Sequence, residues 1–196
     1  MNLSHIPDRV LGFTNLVCLE MFDNQIPVLP LELFIMTNLT VLSFNANRLG
    51  DLQPEIAMLW QLEELSLDRN DLMDLPYDIH RLTNLKVLSI ADNLVSVLPL
   101  SIAWMTQLEE LNCFGNESHM PPREIMKMGL HAIQEYLARQ LGATKELPKN
   151  YSVGEKRIRN TEGIIKLNNM EIINLDQTLS SLGEVLIELY CNYNLM

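Results

Sequence analysis

Leu62–Asn84 reads LEELSLDRNDLMDLPYDIHRLTN, and 23 residues away in either direction the same skeleton returns. In steps of 23, Leu16, Leu39, Leu62, Leu85 and Leu108 open successive copies. Leu19, Leu42, Leu65, Leu88 and Leu111 stand three residues on. Met21, Phe44, Leu67, Ile90 and Cys113 stand five on, all of them apolar. Eight on, the residue is asparagine every time: Asn24, Asn47, Asn70, Asn93 and Asn116. Further along come Leu29, Leu52, Leu75 and Leu98, then Leu33, Ile56, Ile79 and Ile102. Proline follows the first of these sets at Pro30, Pro76 and Pro99, with Gln53 the departure.

Self-similarity at a fixed period is the signature of a stacked-repeat architecture. Apolar residues three and five along point the same way from a strand, so they enter a core while their neighbours face solvent. The chain must then turn sharply. An asparagine amide at that turn can both donate to and accept from the backbone of neighbouring coils, satisfying polar groups that an interior turn would leave unpaired. Leu-Pro opens the return path, where a fixed φ and a missing N–H do little harm because no ladder continues. The later Ile and Leu or Met positions close the core from the convex side.

The form LxxLxLxxNxLxxLPxxIxxL resembles the intracellular leucine-rich-repeat class with 23-residue repeats, found in Ras-group and scribble-like scaffold proteins. The resemblance implies an α/β solenoid: a right-handed superhelix with a parallel concave sheet, ended by a capping helix. It extends over nearly the whole chain and says little about the partner. Leu3, Ile6, Pro7, Val10 and Phe13 fit the second half of a further repeat, so the chain is expected to begin inside one, without a cap. In the fifth repeat Ser118 and Pro121 stand where apolar residues belong. Ile125, Met128, Ala132, Ile133, Tyr136, Leu137 and Leu141 then recur at helical spacing, predicting one amphipathic helix over 123–141 laid on the last repeat. Pro122 suits its start and Gly142 its end.

The expected organisation is therefore an array over 1–120 (a partial repeat plus five), a capping helix within 121–143, a polar linker over 144–160, and a second, incomplete array over 161–196. In that tail Ile165, Leu167, Ile172, Leu175, Leu179 and Leu182 fit a repeat, with Met170 in the asparagine slot. Ile187, Leu189 and Asn192 begin another after a step of 22. The chain is expected to be a piece of a longer protein. Lys145, Lys149, Lys156, Arg157 and Arg159 are interspersed with Glu146 and Glu155, which reads as a solvated linker rather than a docking signal.

Composition narrows the function. Of 196 residues 47% are hydrophobic, enough for a real core, and 25 acidic against 14 basic residues leave a net charge of -11. That balance disfavours nucleic acid as a partner, since duplex binding rests on neutralising phosphates. Cys18, Cys113 and Cys191 are odd in number and far apart, which suggests neither a disulfide framework nor a zinc site and fits a reducing cytosol. No signal peptide is legible in MNLSHIPDRV, and no apolar run reaches the roughly 18 residues a span needs. Asn2, Asn38, Asn116 and Asn150 sit in sequons that read as chance matches. His5, His80, His119 and His131 have no metal-ligand spacing, and no nucleotide or hydrolase motif occurs. No cofactor, metal or catalytic residue is expected. Trp60 and Trp104 are expected as a matched pair packed near repeat junctions on the convex side.

The residues between the strand leucines are expected to line the concave sheet. They comprise Glu20, Phe22, Val41, Ser43, Asn45, Glu64, Ser66, Asp68, Arg69, Val87, Ser89, Asp92, Glu110, Asn112 and Phe114. Phe22 and Phe114 share one phase at opposite ends, and exposed aromatics are favoured interface anchors. Glu20, Glu64, Asp68 and Asp92 make the face between them acidic. The function expected is a non-catalytic scaffold in cytoplasmic signalling that binds a protein partner carrying a basic segment. A second reading makes these repeats the regulatory region of a larger kinase, GTPase or ligase. Oligomeric state is not legible.

Overall fold

The computed structural model describes residues 3–143 together with the strands Ile164–Lys166 and Glu188–Tyr190. The chain divides into two compact units, 1–138 and 139–196. In the first, five short strands line up in sequence order: β1 Cys18–Glu20, β2 Val41–Ser43, β3 Glu64–Ser66, β4 Val87–Ser89 and β5 Glu110–Asn112. All four pairings are parallel and none slips, so Leu19, Leu42, Leu65, Leu88 and Leu111 form one row across the sheet. Four 3-10 helices carry the chain back, at Leu31–Ile35, Pro54–Met58, Tyr77–Arg81 and Leu100–Trp104. The residue before each helix is Pro30, Gln53, Pro76 or Pro99, in an extended conformation with φ of -72, -65, -63 and -63. At the one departure, proline has moved one place on: Pro54 opens the helix, and Gln53 Nε2 reaches the Leu29 carbonyl at 3.0 Å.

Between sheet and helices lies the core. Leu39, Leu42, Phe44, Leu49, Leu62, Leu65, Leu67, Leu72, Leu85, Leu88 and Ile90 have no accessible surface, and Leu33, Ile56, Ile79 and Ile102 close it from the helix side. Each repeat thus buries its leucines against its two neighbours rather than within itself.

The asparagine row sets the turns. Asn70 Oδ1 accepts the Leu49 N–H at 2.9 Å, while its Nδ2 donates to the Phe44, Leu67 and Asp68 carbonyls at 2.9, 3.0 and 3.3 Å. Asn47 and Asn93 repeat this pattern one coil earlier and one later. Asn116 accepts from Val95 N–H and donates to Ile90 and Cys113. Asn24 accepts from Leu3 N–H but donates only within its own coil. A second amide row was not anticipated: Asn38 Nδ2 donates to the Thr14 carbonyl and Asn84 Nδ2 to that of Trp60, each at 2.9 Å, just ahead of the strands.

Several expectations are corrected. The single helix over 123–141 is two: α2 Arg123–Met126 and α3 Leu130–Ala143, with the short α1 at Asp8–Leu11 preceding both. Gly129 divides them with φ +87, a backbone state that an L side chain rarely adopts and that no helix continues through. Met128 is consequently thrown out to solvent, 70% exposed, while Ile133 and Leu137 are fully buried. Gln134 Nε2 donates to the Ile102 and Met105 carbonyls at 3.4 and 3.0 Å, which fixes α3 against the last 3-10 helix. Pro121, though out of pattern, is buried in its slot. Phe13 is exposed, whereas its counterparts Met36, Leu59, Leu82 and Met105 are buried. Trp60 and Trp104 are not a matched pair: Trp104 ends a helix, and Trp60 lies two residues beyond Met58, which ends another. Trp104 instead packs edge-on against Tyr77 and His80, with ring centroids 5.7 and 5.2 Å away.

In the second unit, β6 Ile164–Lys166 and β7 Glu188–Tyr190 pair in parallel, with Ile165 opposite Leu189. The expected alignment placed Ile165 opposite Ile187. An offset of two residues keeps side chains on the same face, so the alternation alone does not distinguish the registers. The linker residues over 144–160, and the tail positions outside the two strands, lie outside the described residues.

Candidate interaction surface

The open face of the five-stranded sheet is built from positions that alternate with the buried leucine row. Its first residues, Cys18, Glu64 and Glu110, are exposed, with Val41 and Val87 half-buried between them. Glu20 is exposed as well. Ser43, Ser66 and Ser89 are buried, at 7–8% of their surface, and so offer little to a partner. Adjacent strands stand about 4.8 Å apart, and a small side chain in a central strand is overshadowed by its neighbours.

Two of those serines also have another task. Ser66 Oγ donates to Asn45 Oδ1 at 2.9 Å, and the same oxygen accepts the Asp68 N–H at 2.7 Å. One repeat on, Ser89 Oγ donates to Asp68 Oδ1 at 2.6 Å, and that oxygen accepts the Ala91 N–H at 2.7 Å. Asn45 and Asp68, expected as partner contacts, are therefore committed in part to tying each strand end to the next. The acidic character left for a partner comes from Glu20, Glu64, Asp92 and Glu110, all exposed, rather than from Asp68. Asn112 is half-buried, and its Oδ1 accepts the Phe114 N–H at 3.4 Å. Phe22 and Phe114 are 63% and 70% exposed at the two ends of their row.

The residue after that row had no visible signature in sequence. Asp23, Ala46, Arg69 and Asp92 all take a left-handed backbone, with φ of 56, 54, 54 and 52, and Gly115 completes the series at φ 80. The strand leaves the sheet through this state in every repeat, just ahead of the asparagine. Only the glycine and the two aspartates hint at it by residue type, since Gly, Asn and Asp tolerate αL best. Asp23, Ala46 and Arg69, with Phe22, line a recess of about 330 Å³ at the edge of the face.

Among the described residues, no cluster of three or more His, Cys, Asp or Glu side chains could hold a metal ion. Cys113 lies in the core, where burial pushes its thiol up to about 11. No helix of the described residues is long and apolar enough to cross a membrane. The amide nitrogens of Asn38 and Asn116 are hydrogen-bonded to main chain.

No family model matches the chain, and no curated protein is similar to it at a significant level. Solved structures do match. The leucine-rich-repeat ectodomain of the receptor kinase SOBIR1 from Arabidopsis thaliana matches 58% of this chain over 64% of its own length, at 27% identity and a TM-score of 0.52. The corresponding ectodomain of the plant membrane receptor kinase GASSHO1/SCHENGEN3 from the same plant was solved with Casparian strip integrity factor 2. It matches over 58% of this chain at 27% identity and a TM-score of 0.53. The match spans only 14% of that ectodomain's length. A TDR receptor structure, at 24% identity and a TM-score of 0.53, shares the fold. The 23-residue period, the five parallel strands in unslipped register and these likenesses together give the chain the leucine-rich-repeat solenoid fold.

Proposed function

We propose that the described repeats form a non-catalytic protein-binding module whose partner lies against the open sheet face and presents a basic segment. The observation that carries this reading is the row of exposed carboxylates, Glu20, Glu64, Asp92 and Glu110, on a sheet where Asn45, Ser66, Asp68 and Ser89 are instead engaged with one another. Among the residues expected at this surface, Arg69 is the lone cation. Phe22 and Phe114 supply apolar contacts at either end. We place the module in cytoplasmic signalling, in the 23-residue class of scaffold repeats, with no cofactor.

The test is charge reversal. Glu64→Lys with Glu110→Lys is expected to slow association of a fluorescein-labelled Lys/Arg-rich peptide, and the more so at low salt, where surface charges steer encounter. Unchanged association at low salt would sink the reading.

A second reading is favoured by the solved structures matched above, two of which are the repeat ectodomains of receptor kinases. The repeats would then be the recognition region of a larger enzyme. A full-length transcript encoding a kinase, GTPase or ligase domain would decide for it.

A further inference from the structure

The recess at the edge of the sheet exists because of one small side chain. Asp23, Ala46 and Arg69 occupy the same position in three successive repeats and share one backbone state, so their side chains leave the surface in parallel. Ala46 carries only a methyl between two longer, charged neighbours, and Phe22 walls the gap at 63% exposure. Asp23 and Arg69 are exposed, and neither joins the ion pairs formed among the described residues. They stand two strand spacings apart, about 10 Å, too far to neutralise each other across the gap. The result is an apolar floor and aromatic wall of about 330 Å³ with a carboxylate at one end and a guanidinium at the other.

We propose that this recess is the anchor pocket of the interface, taking one apolar side chain of a protein partner flanked by a cationic residue on the Asp23 side and an acidic residue on the Arg69 side. The proposal rests on the reading of the sheet face as a binding surface, and it adds what the acidic row alone lacks. A row of carboxylates attracts any basic segment. A methyl-floored gap between opposite charges selects both the anchor and the direction in which the partner lies. Arg69, the one cation in a field of carboxylates, becomes a specificity determinant: it disfavours a purely basic segment and rewards one with an acid at the matching place.

The test uses a displayed library of random 12-residue peptides selected on the full chain. Enriched peptides are expected to carry an apolar residue with Lys or Arg on one side and Asp or Glu on the other. Ala46→Arg fills the gap with the side chain the fold already holds at position 69, and it should weaken their binding roughly tenfold or more, the scale of one lost anchor. Phe22→Ser should act in the same direction, and thermal melting verifies that both variants are folded. Asp23→Arg and Arg69→Asp should each weaken binding and together favour peptides of reversed charge order. Peptides that bind Ala46→Arg and Phe22→Ser as well as the parent, yet are lost on Glu64→Lys with Glu110→Lys, overturn the pocket while leaving the face standing. Peptides insensitive to all of these changes overturn both readings, as does a selection that enriches nothing. Purely basic peptides that bind Arg69→Ala no tighter than the parent overturn the role given to Arg69.

Discussion

The two ends of the array use the same repeat and treat it differently. In the first full repeat Leu16 and Met21 are half-buried and Phe13, just before, is 60% exposed. In the fifth, Leu108, Leu111 and Cys113 are all buried, and α3 is tied to that end by Gln134, whose amide donates to the Ile102 and Met105 carbonyls. A repeat leucine is therefore as buried as its neighbours make it. Position in the stack, not the motif, sets what each side chain contributes.

The comparison can be broken most severely at the centre. Leu85→Ala, at a fully buried site between two repeats, should lower stability by about 4 kcal/mol, whereas Leu16→Ala should lower it by only about 1 kcal/mol. Urea unfolding of both variants measures the gap, and equal losses would mean that burial at the first repeat is completed by something beyond the described residues. Asn70→Ala removes an amide with four backbone partners in two coils and should cost about 3 kcal/mol. Asn24→Ala, whose amide donates only to carbonyls of its own coil, should cost about 1 kcal/mol.

The left-handed row sharpens the contrast with changes of one methyl. Gly115→Ala introduces a Cβ at φ +80 that overlaps the Asp92 carboxylate, for a loss of about 2 kcal/mol. Ala46→Gly relieves the same backbone state and should raise stability by about 1 kcal/mol, read as an upward shift in melting temperature. The smallest effect is chemical. In a Cys191→Ser background at pH 8, iodoacetamide should label exposed Cys18 and spare Cys113, whose buried thiol stays protonated well above that pH. Reaction at Cys113 would report opening of the last repeat and would become general only as the pH approached about 11.

Much of the fold was legible because its main constraint recurs. The buried leucines and the asparagine turn each require one residue type, and five successive copies make that requirement visible. The left-handed slot was illegible for the opposite reason: aspartate, alanine, arginine and glycine all occupy it, since the surrounding hydrogen bonds impose the backbone whatever the side chain. The helix break at Gly129 was hidden by an apolar spacing that runs through it. At the candidate surface, alternation identified which residues leave the core but not which are free. Ser66, Ser89, Asn45 and Asp68 point the right way and are engaged with one another, a matter of three-dimensional neighbours 21 to 23 positions apart.

The asparagine row also has a mechanical side. Asn47, Asn70 and Asn93 each bind main chain of their own coil and of the one before, so no coil can be peeled away without breaking the clasp that its neighbour closes on it. Under tension applied at the chain ends, the load falls on one clasp at a time. The array should then lengthen in regular steps, each releasing one 23-residue coil, or about 80 Å of extended chain, so that the periodicity written in the sequence would reappear as a ruler in a force trace.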